Sequence, residues 1–203
     1  MTRATLFASI LPAALLIACG AAPSAPTTPE PPAPPGVPST LPTASAAPSA
    51  LPAAPAASPV AVTIEGRSGS KLAGTATLTA VDGGVKVAIK ITGATPGKLA
   101  SHVHETGDCS APDAKSAGGH FNPEGHKHGL PDGERHLGDL CNIEVKADGT
   151  GAHEIVAKGA NLTAGDAKSF LGKAIVVHEK QDDGGQPTGN AGGRIGCGVI
   201  PVK

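Results

Sequence analysis

Between Val85 and Ile91 every second residue is β-branched and apolar, with Lys86, Ala88 and Lys90 in the intervening places. A period of two sets one side of an extended chain against a core and the other in solvent, so this stretch reads as a half-buried strand. Val60, Val62 and Ile64 repeat the pattern, and residues 75–81 form a Thr/Ala/Val run that Asp82-Gly83-Gly84 separates from Val85. That spacing predicts a hairpin. Further strand-like runs cover residues 141–146, 152–157 and 174–178, divided by Gly- and Asp-rich turns such as Asp148-Gly149. No segment carries a long apolar stripe at helical spacing, so the domain is expected to be all-β, a sandwich or a barrel. With no Trp, no Tyr and three Phe in the chain, Val, Ile, Leu and Ala must build its core.

The first third of the chain cannot contribute to that core. Residues 1–19 read as a targeting segment, with Arg3 as the positive region and an apolar stretch from Leu6 to Ile17. That stretch is shorter than the roughly 20 residues of a bilayer span. Leu16-Ile17-Ala18-Cys19-Gly20 resembles a bacterial lipobox, in which Cys19 would be acylated and become the first mature residue. The alternative is an ordinary secretory leader with a chance Cys; either way the product leaves the cytoplasm, for the periplasm or a membrane surface. Residues 20–59 are almost entirely Ala, Pro, Ser and Thr, which fix φ, remove backbone donors and prevent packing. In a polyproline II conformation, at roughly 3.1 Å per residue, such a tract reaches on the order of 100 Å. It reads either as a tether between membrane and domain or as a disordered tract without a spacing role. Residues 60–203 are left as one folded domain. A formal net charge of −1, with no basic run and no aromatic-interleaved patch, argues against a nucleic-acid partner.

Six of the eight histidines and one aspartate form an ordered series: His102-Val103-His104, then His120, His128, His136, Asp139 and His178. Imidazole suits copper and zinc, and a carboxylate completes a zinc set. Residues two apart in a strand share a face, so His102 and His104 project side by side and can clasp one ion. His120, His128 and His136 punctuate a Gly/Pro-rich loop that can wrap a second. Two stretches without strand character, residues 105–140 and 179–193, hold most of these histidines, and loops of this length in a compact domain are usually functional.

In these stretches the chain resembles the copper/zinc superoxide dismutase family. The resemblance is carried by His102-Val103-His104-Glu105, Gly107-Asp108-Cys109-Ser110, Gly119-His120-Phe121-Asn122-Pro123, Lys127-His128-Gly129, Glu134-Arg135-His136-Leu137-Gly138-Asp139-Leu140, Val176-Val177-His178-Glu179-Lys180 and the run from Gly189 to Ile200. It spans the whole expected domain. It implies a Greek-key β-sandwich or flattened barrel of immunoglobulin-like architecture with two long metal-site loops, binding copper and zinc and converting superoxide to dioxygen and hydrogen peroxide. By resemblance, His102, His104, His120 and His178 bind copper, and His120, His128, His136 and Asp139 bind zinc, with His120 as the bridge and a carrier of a proton. Asp182 matches a carboxylate that links a copper and a zinc histidine, and Arg194 an arginine that draws the anion in. Cys109 and Cys197 match an intradomain disulfide, which an oxidising envelope would preserve. The family is represented by monomers and homodimers, so neither state is preferred.

Several residues depart from that pattern. Cys141 is additional, and reads as a buried small hydrophobe, an intermolecular disulfide partner or a competing soft ligand, with the first preferred. His126 creates a second His-x-His with His128 but reads as a solvated loop residue, and His153 as a surface residue. Ala100-Ser101 stands where the family more often has Gly followed by an apolar residue. The loop from Asp182 to Arg194 is short and sparsely charged, which leaves anion steering mainly to Arg194 and nearby lysines. Two other readings compete with the enzyme: a non-catalytic copper/zinc-binding lipoprotein, and a purely structural β-sandwich with incidental histidines.

Overall fold

The computed structural model describes residues 58–202, so the leader, Cys19 and residues 20–57 of the spacer lie outside the described residues. Eight antiparallel strands follow in chain order: β1 (Val60–Gly66), β2 (Ala73–Val81), β3 (Gly84–Thr92), β4 (Gly97–His104), β5 (Asp139–Val145), β6 (Gly151–Lys158), β7 (Ala174–His178) and β8 (Arg194–Val199). They close into one barrel in the order β1-β2-β3-β6-β5-β4-β7-β8. Because β3 pairs with β6 and β4 with β5 and β7, the chain crosses between non-neighbouring strands as a Greek key does. Closure leaves no unpaired sheet edge.

The alternating residues of β1 and β3 are buried as expected: Val60, Val62, Ile64, Val85, Val87, Ile89 and Ile91 all face the interior. Val81 pairs with Gly84, so Asp82 and Gly83 make the two-residue turn of the hairpin, with Gly83 at φ +73°. Phe121 and Phe170 meet edge to face at 6.0 Å in an otherwise aliphatic core. Cys109 and Cys197 form a disulfide that fastens the first long loop to β8. Across a sequence separation of 88 residues the chain-entropy model assigns such a link about 4.6 kcal/mol.

Two β-bulges border the histidines. Between β4 and β5, Ala100 pairs with Asn142 and His102 with Asp139, so Leu140 and Cys141 together oppose Ser101. Between β7 and β8, Val177 pairs with Gly196 and His178 with Arg194, which leaves Ile195 as the extra residue. An inserted residue bends a strand and re-aims the side chains beside it. Cys141 sits in the first bulge at φ +72°, a left-handed conformation that suits glycine. It is half-buried, not fully buried as expected, because the bulge turns it out of the alternation. Ser101 Oγ donates to the Cys141 carbonyl at 3.1 Å, so two of the departures from the family pattern are in contact.

The first long loop is drawn down onto β4 by backbone bonds. Phe121 N–H donates to the Val103 carbonyl, Gly138 N–H to the Phe121 carbonyl, and Val103 N–H to the Gly138 carbonyl, at 2.8, 2.9 and 2.8 Å. A Cβ on Gly138 would fall 2.2 Å from the Val103 oxygen, so only glycine permits this approach. The loop therefore ends where Asp139 enters β5 opposite His102.

Candidate metal centre

β4 ends with His102 and His104, β7 ends with His178, β5 opens with Asp139 and β8 opens with Arg194. The first loop adds His120, His128 and His136, and the second adds Asp182. The six histidines and both aspartates are buried. His102 and His120 lie with ring centroids 4.0 Å apart, tilted by 32°, and His120 meets His136 at 5.4 Å.

Donor atoms of His102, His104, His120 and His178 lie within 4.8 Å of one another, and so do those of His102, His120, His128 and Asp139. The first group is the expected copper set. The second has His102 where the zinc expectation has His136. His136 is nevertheless present at the same place: its Nδ1 lies 3.3 Å from His120 Nδ1 and 3.3 Å from Asp139 Oδ1. His102 commits Nε2 to Asp182 and keeps a single nitrogen, which can serve one ion, so proximity alone does not make it a member of both sets.

Four of the histidines use one ring nitrogen for support. His102 Nε2 donates to Asp182 Oδ2 at 3.0 Å and His128 Nε2 to Asp182 Oδ1 at 2.9 Å, so one carboxylate orients a ring from each set. His104 Nδ1 donates to the Gly118 carbonyl at 2.9 Å, and His178 Nδ1 faces the Gly192 carbonyl at 3.5 Å. The opposite nitrogens, His102 Nδ1, His104 Nε2, His128 Nδ1 and His178 Nε2, are buried without a hydrogen-bond partner. His128 Nδ1 is 3.0 Å from Asp139 Oδ2, but its alignment is that of a charge pair and not a hydrogen bond. Buried polar atoms without partners are costly. Three of them converge beside the His120 ring and the fourth, on His128, faces Asp139, an arrangement that fits cations, and outer bonds that fix a ring's tautomer are what metal-binding histidines ordinarily have.

Electrostatics sets His128 apart from the other rings. Burial pushes His102 down to about 4, His104 to about 2 and His178 to about 3, so all three are neutral donors at neutral pH. Burial also lowers His136. His128 is the opposite case: burial disfavours its charge, but Asp139 and Asp182 outweigh it and raise the ring to about 9. Burial alone would raise both carboxyls, yet the histidine hydrogen bonds hold Asp139 and Asp182 far below the usual carboxylate range.

Arg194 is half-buried, with Nη1 donating to the Ala114 carbonyl at 2.8 Å and Nη2 to the Gly118 carbonyl at 2.7 Å. Burial lowers its pKa, though an arginine has a wide margin before losing charge.

A family model described as copper/zinc superoxide dismutase (SODC) matches residues 72–200. The chain belongs to the copper/zinc superoxide dismutase family. Among solved structures, it is similar to a SOD-like protein from Bacillus subtilis at 37% identity, covering 69% of this chain and 97% of that one with a TM-score of 0.62. A double mutant of that protein matches at 37% identity, over 70% and 96% of the two chains, TM-score 0.63. The clock protein EA4 matches at 39%, over 71% and 96%, TM-score 0.63.

Other residues at this superoxide dismutase-type centre act through the backbone. Asn142 Oδ1 accepts from Asp182 N–H at 2.8 Å and its Nδ2 donates to the Asp182 carbonyl at 3.0 Å, a two-point clamp on the residue that links the sets. Gly189, at φ +75°, lies where a Cβ would be 2.2 Å from Asp182 Oδ1. Asn142 is not marked by spacing or residue type in the sequence, and Gly189 only as the first residue of the run that carries the resemblance. The structure does not bring His126 or His153 into either donor group. His126 is half-buried, with Nδ1 on the Arg135 carbonyl at 3.2 Å. His153 is also half-buried, not a plain surface residue, because its Nε2 reaches the Leu140 carbonyl at 2.8 Å beside the bulge.

Proposed function

We propose that this chain is a superoxide dismutase of the cell envelope, with copper held by His102, His104, His120 and His178, and zinc by His120, His128, His136 and Asp139. The observation that carries the reading is the convergence of His102 Nδ1, His104 Nε2 and His178 Nε2, buried and without partners, beside the His120 ring. A copper ion held there would supply the one-electron couple that dismutation needs, in which one superoxide is oxidised to dioxygen and a second, with two protons, is reduced to hydrogen peroxide. Zinc, which has no redox chemistry of its own, suits the mixed imidazole and carboxylate set.

The chain's own residues prepare this chemistry. Asp182 holds His102 and His128 in fixed tautomers and ties the two sets together. His120 directs Nδ1 toward Asp139 Oδ1 at 2.9 Å, which leaves Nε2 for the copper side and as the atom on which a proton can be held. Arg194 retains its positive charge, and its guanidinium, braced on two carbonyls, offers remaining N–H groups to a small anion.

Export and anchoring through acylated Cys19 belong to the same reading, and so does the spacer that separates anchor from domain. They are supported by the lipobox-like run from Leu16 to Gly20, and by a disulfide of the kind that persists outside reducing compartments.

Neighbours named only as SOD-like favour a second reading, a non-catalytic copper/zinc-binding lipoprotein. The deciding experiment loads the chain with both metals and measures superoxide consumption and metal content together, with His178→Ala as the control. Rapid turnover lost with copper in the variant supports the enzyme, and full occupancy with no turnover supports the binding protein.

A further inference from the structure

Among the zinc-side donors, burial is uneven. The side chains of His120, His128 and Asp139 are 3%, 0% and 1% exposed, whereas that of His136 is 11% exposed. His136 lines a surface cavity of about 420 Å³, whose charged and imidazole lining also includes His126, Glu124, Asp132, Glu134, Arg135 and Lys158. His136 thus borders both the inner site, through Nδ1, and the cavity.

His126 is fixed at this cavity by three bonds. Asn122 Oδ1 accepts its backbone N–H at 3.0 Å, Asn122 Nδ2 donates to its carbonyl at 2.8 Å, and its Nδ1 donates to the carbonyl of Arg135, the residue before His136. Nε2 is its remaining donor atom. The proposed reaction uses neither His126 nor the cavity. The Arg135 guanidinium also borders the cavity, where Nε donates to the Asp139 carbonyl and Nη1 to the Pro131 carbonyl. Glu124 is neutralised by Lys168 at 2.6 Å, whereas no such ion pair engages Asp132 or Glu134 among the described residues.

We propose that this cavity is the path by which a divalent cation enters and leaves the zinc-side site, and that His126 is a relay ligand that holds the ion before His136 takes it. The inference rests on the zinc assignment made above. A relay ligand lowers the barrier in both directions by the same factor and leaves the end states alone, so it changes rates without changing affinity. A residue that merely braces the loop does the reverse, loosening the site and weakening affinity.

The test follows Zn²⁺ uptake by the full chain and Zn²⁺ loss to a chromogenic chelator for wild type, His126→Gln and Glu134→Gln. Association and dissociation rates should fall together in His126→Gln by roughly tenfold, the lower end of what a focusing cleft contributes, with Kd unchanged. Copper exchange should be unaffected. Glu134→Gln, an exposed change with no risk to folding, should slow uptake alone at low ionic strength. Unchanged zinc rates in both variants overturn the proposal, as does a weaker Kd arising only from faster loss. A wild-type chain that takes up no zinc overturns the zinc assignment as well, so the two failures are distinguishable.

Discussion

Arg194 and His104 donate to the same atom: Arg194 Nη2 and His104 Nδ1 reach the Gly118 carbonyl oxygen at 2.7 and 2.9 Å. One carbonyl therefore fixes both the guanidinium and the tautomer of an expected copper ligand. The 3₁₀ turn at Lys115–Ala117 delivers that carbonyl, with Gly118 at φ +75°.

Replacing Arg194 separates the two roles. Arg194→Lys keeps the charge but cannot brace on Ala114 and Gly118 together, because an ammonium lacks the planar fork. Copper content should stay at the wild-type level while kcat/KM for superoxide falls about tenfold, with most of the loss persisting at high salt, where long-range attraction is screened. Steady-state assays across ionic strength, alongside copper analysis, check this.

Asp182→Asn keeps the shape of the side chain but gives one imidazole N–H an amide donor to face. Since Asp182 supports both His102 and His128, affinity for both ions should drop, by about 10- to 100-fold as for other outer hydrogen-bond partners of metal ligands. Competition with graded chelators measures it. Loss of one metal only would contradict the linking role.

The pH dependence of the metal-free chain follows from its buried rings. A histidine whose folded pKa is depressed is neutral in the fold and gains a proton on unfolding, so its contribution declines as pH falls below the ordinary value of 6.5. His102, His104 and His178 all behave this way, down to about 4, 2 and 3. Near pH 5 unfolding should take up almost three protons, a slope of about 4 kcal/mol per pH unit if the three act independently. His128 has the opposite sign: raised to about 9, it stabilises the fold at acid and neutral pH and stops doing so above about 9. Denaturant midpoints from pH 4.5 to 10 test both limbs. In the same chain at pH 7.5, zinc must displace a proton from His128, so calorimetry in buffers of different ionisation enthalpy should detect proton release on zinc binding.

Cys141→Gly should stabilise the protein by about 1 kcal/mol, the cost of holding a side chain in the left-handed region less the extra freedom glycine has when unfolded. The reason is φ +72° in the β4–β5 bulge. Thermal unfolding of the variant with the Cys109–Cys197 disulfide intact and unchanged metal content is the measurement, and a lower midpoint would mean that the thiol's contacts outweigh the strain.

The barrel was legible where side chains alternate: Val85 to Ile91 reads as a strand because nothing but a pleated sheet buries those four residues and exposes the lysines between them. The ligands were legible because histidine is rare enough for an ordered series to stand out. What escaped is held by main-chain atoms. The bulge at Cys141, the Gly118 carbonyl shared by two side chains and the clamp of Asn142 on Asp182 all involve backbone groups that every residue possesses. His153 was misjudged for the same reason, since its partner is the carbonyl of Leu140 exposed by the bulge. The leader and residues 20–57 of the spacer lie outside the described residues and remain readings of the sequence.

The central claim is that a single copper held by His102, His104, His120 and His178 turns over superoxide. The most direct measurement titrates copper into the zinc-saturated chain and follows the rate of superoxide decay at each addition. The account predicts a rate that rises linearly to one copper per chain and then stays level, and a His178→Ala chain that gives no such rise. Copper bound to full occupancy with superoxide decaying no faster than in buffer would contradict it.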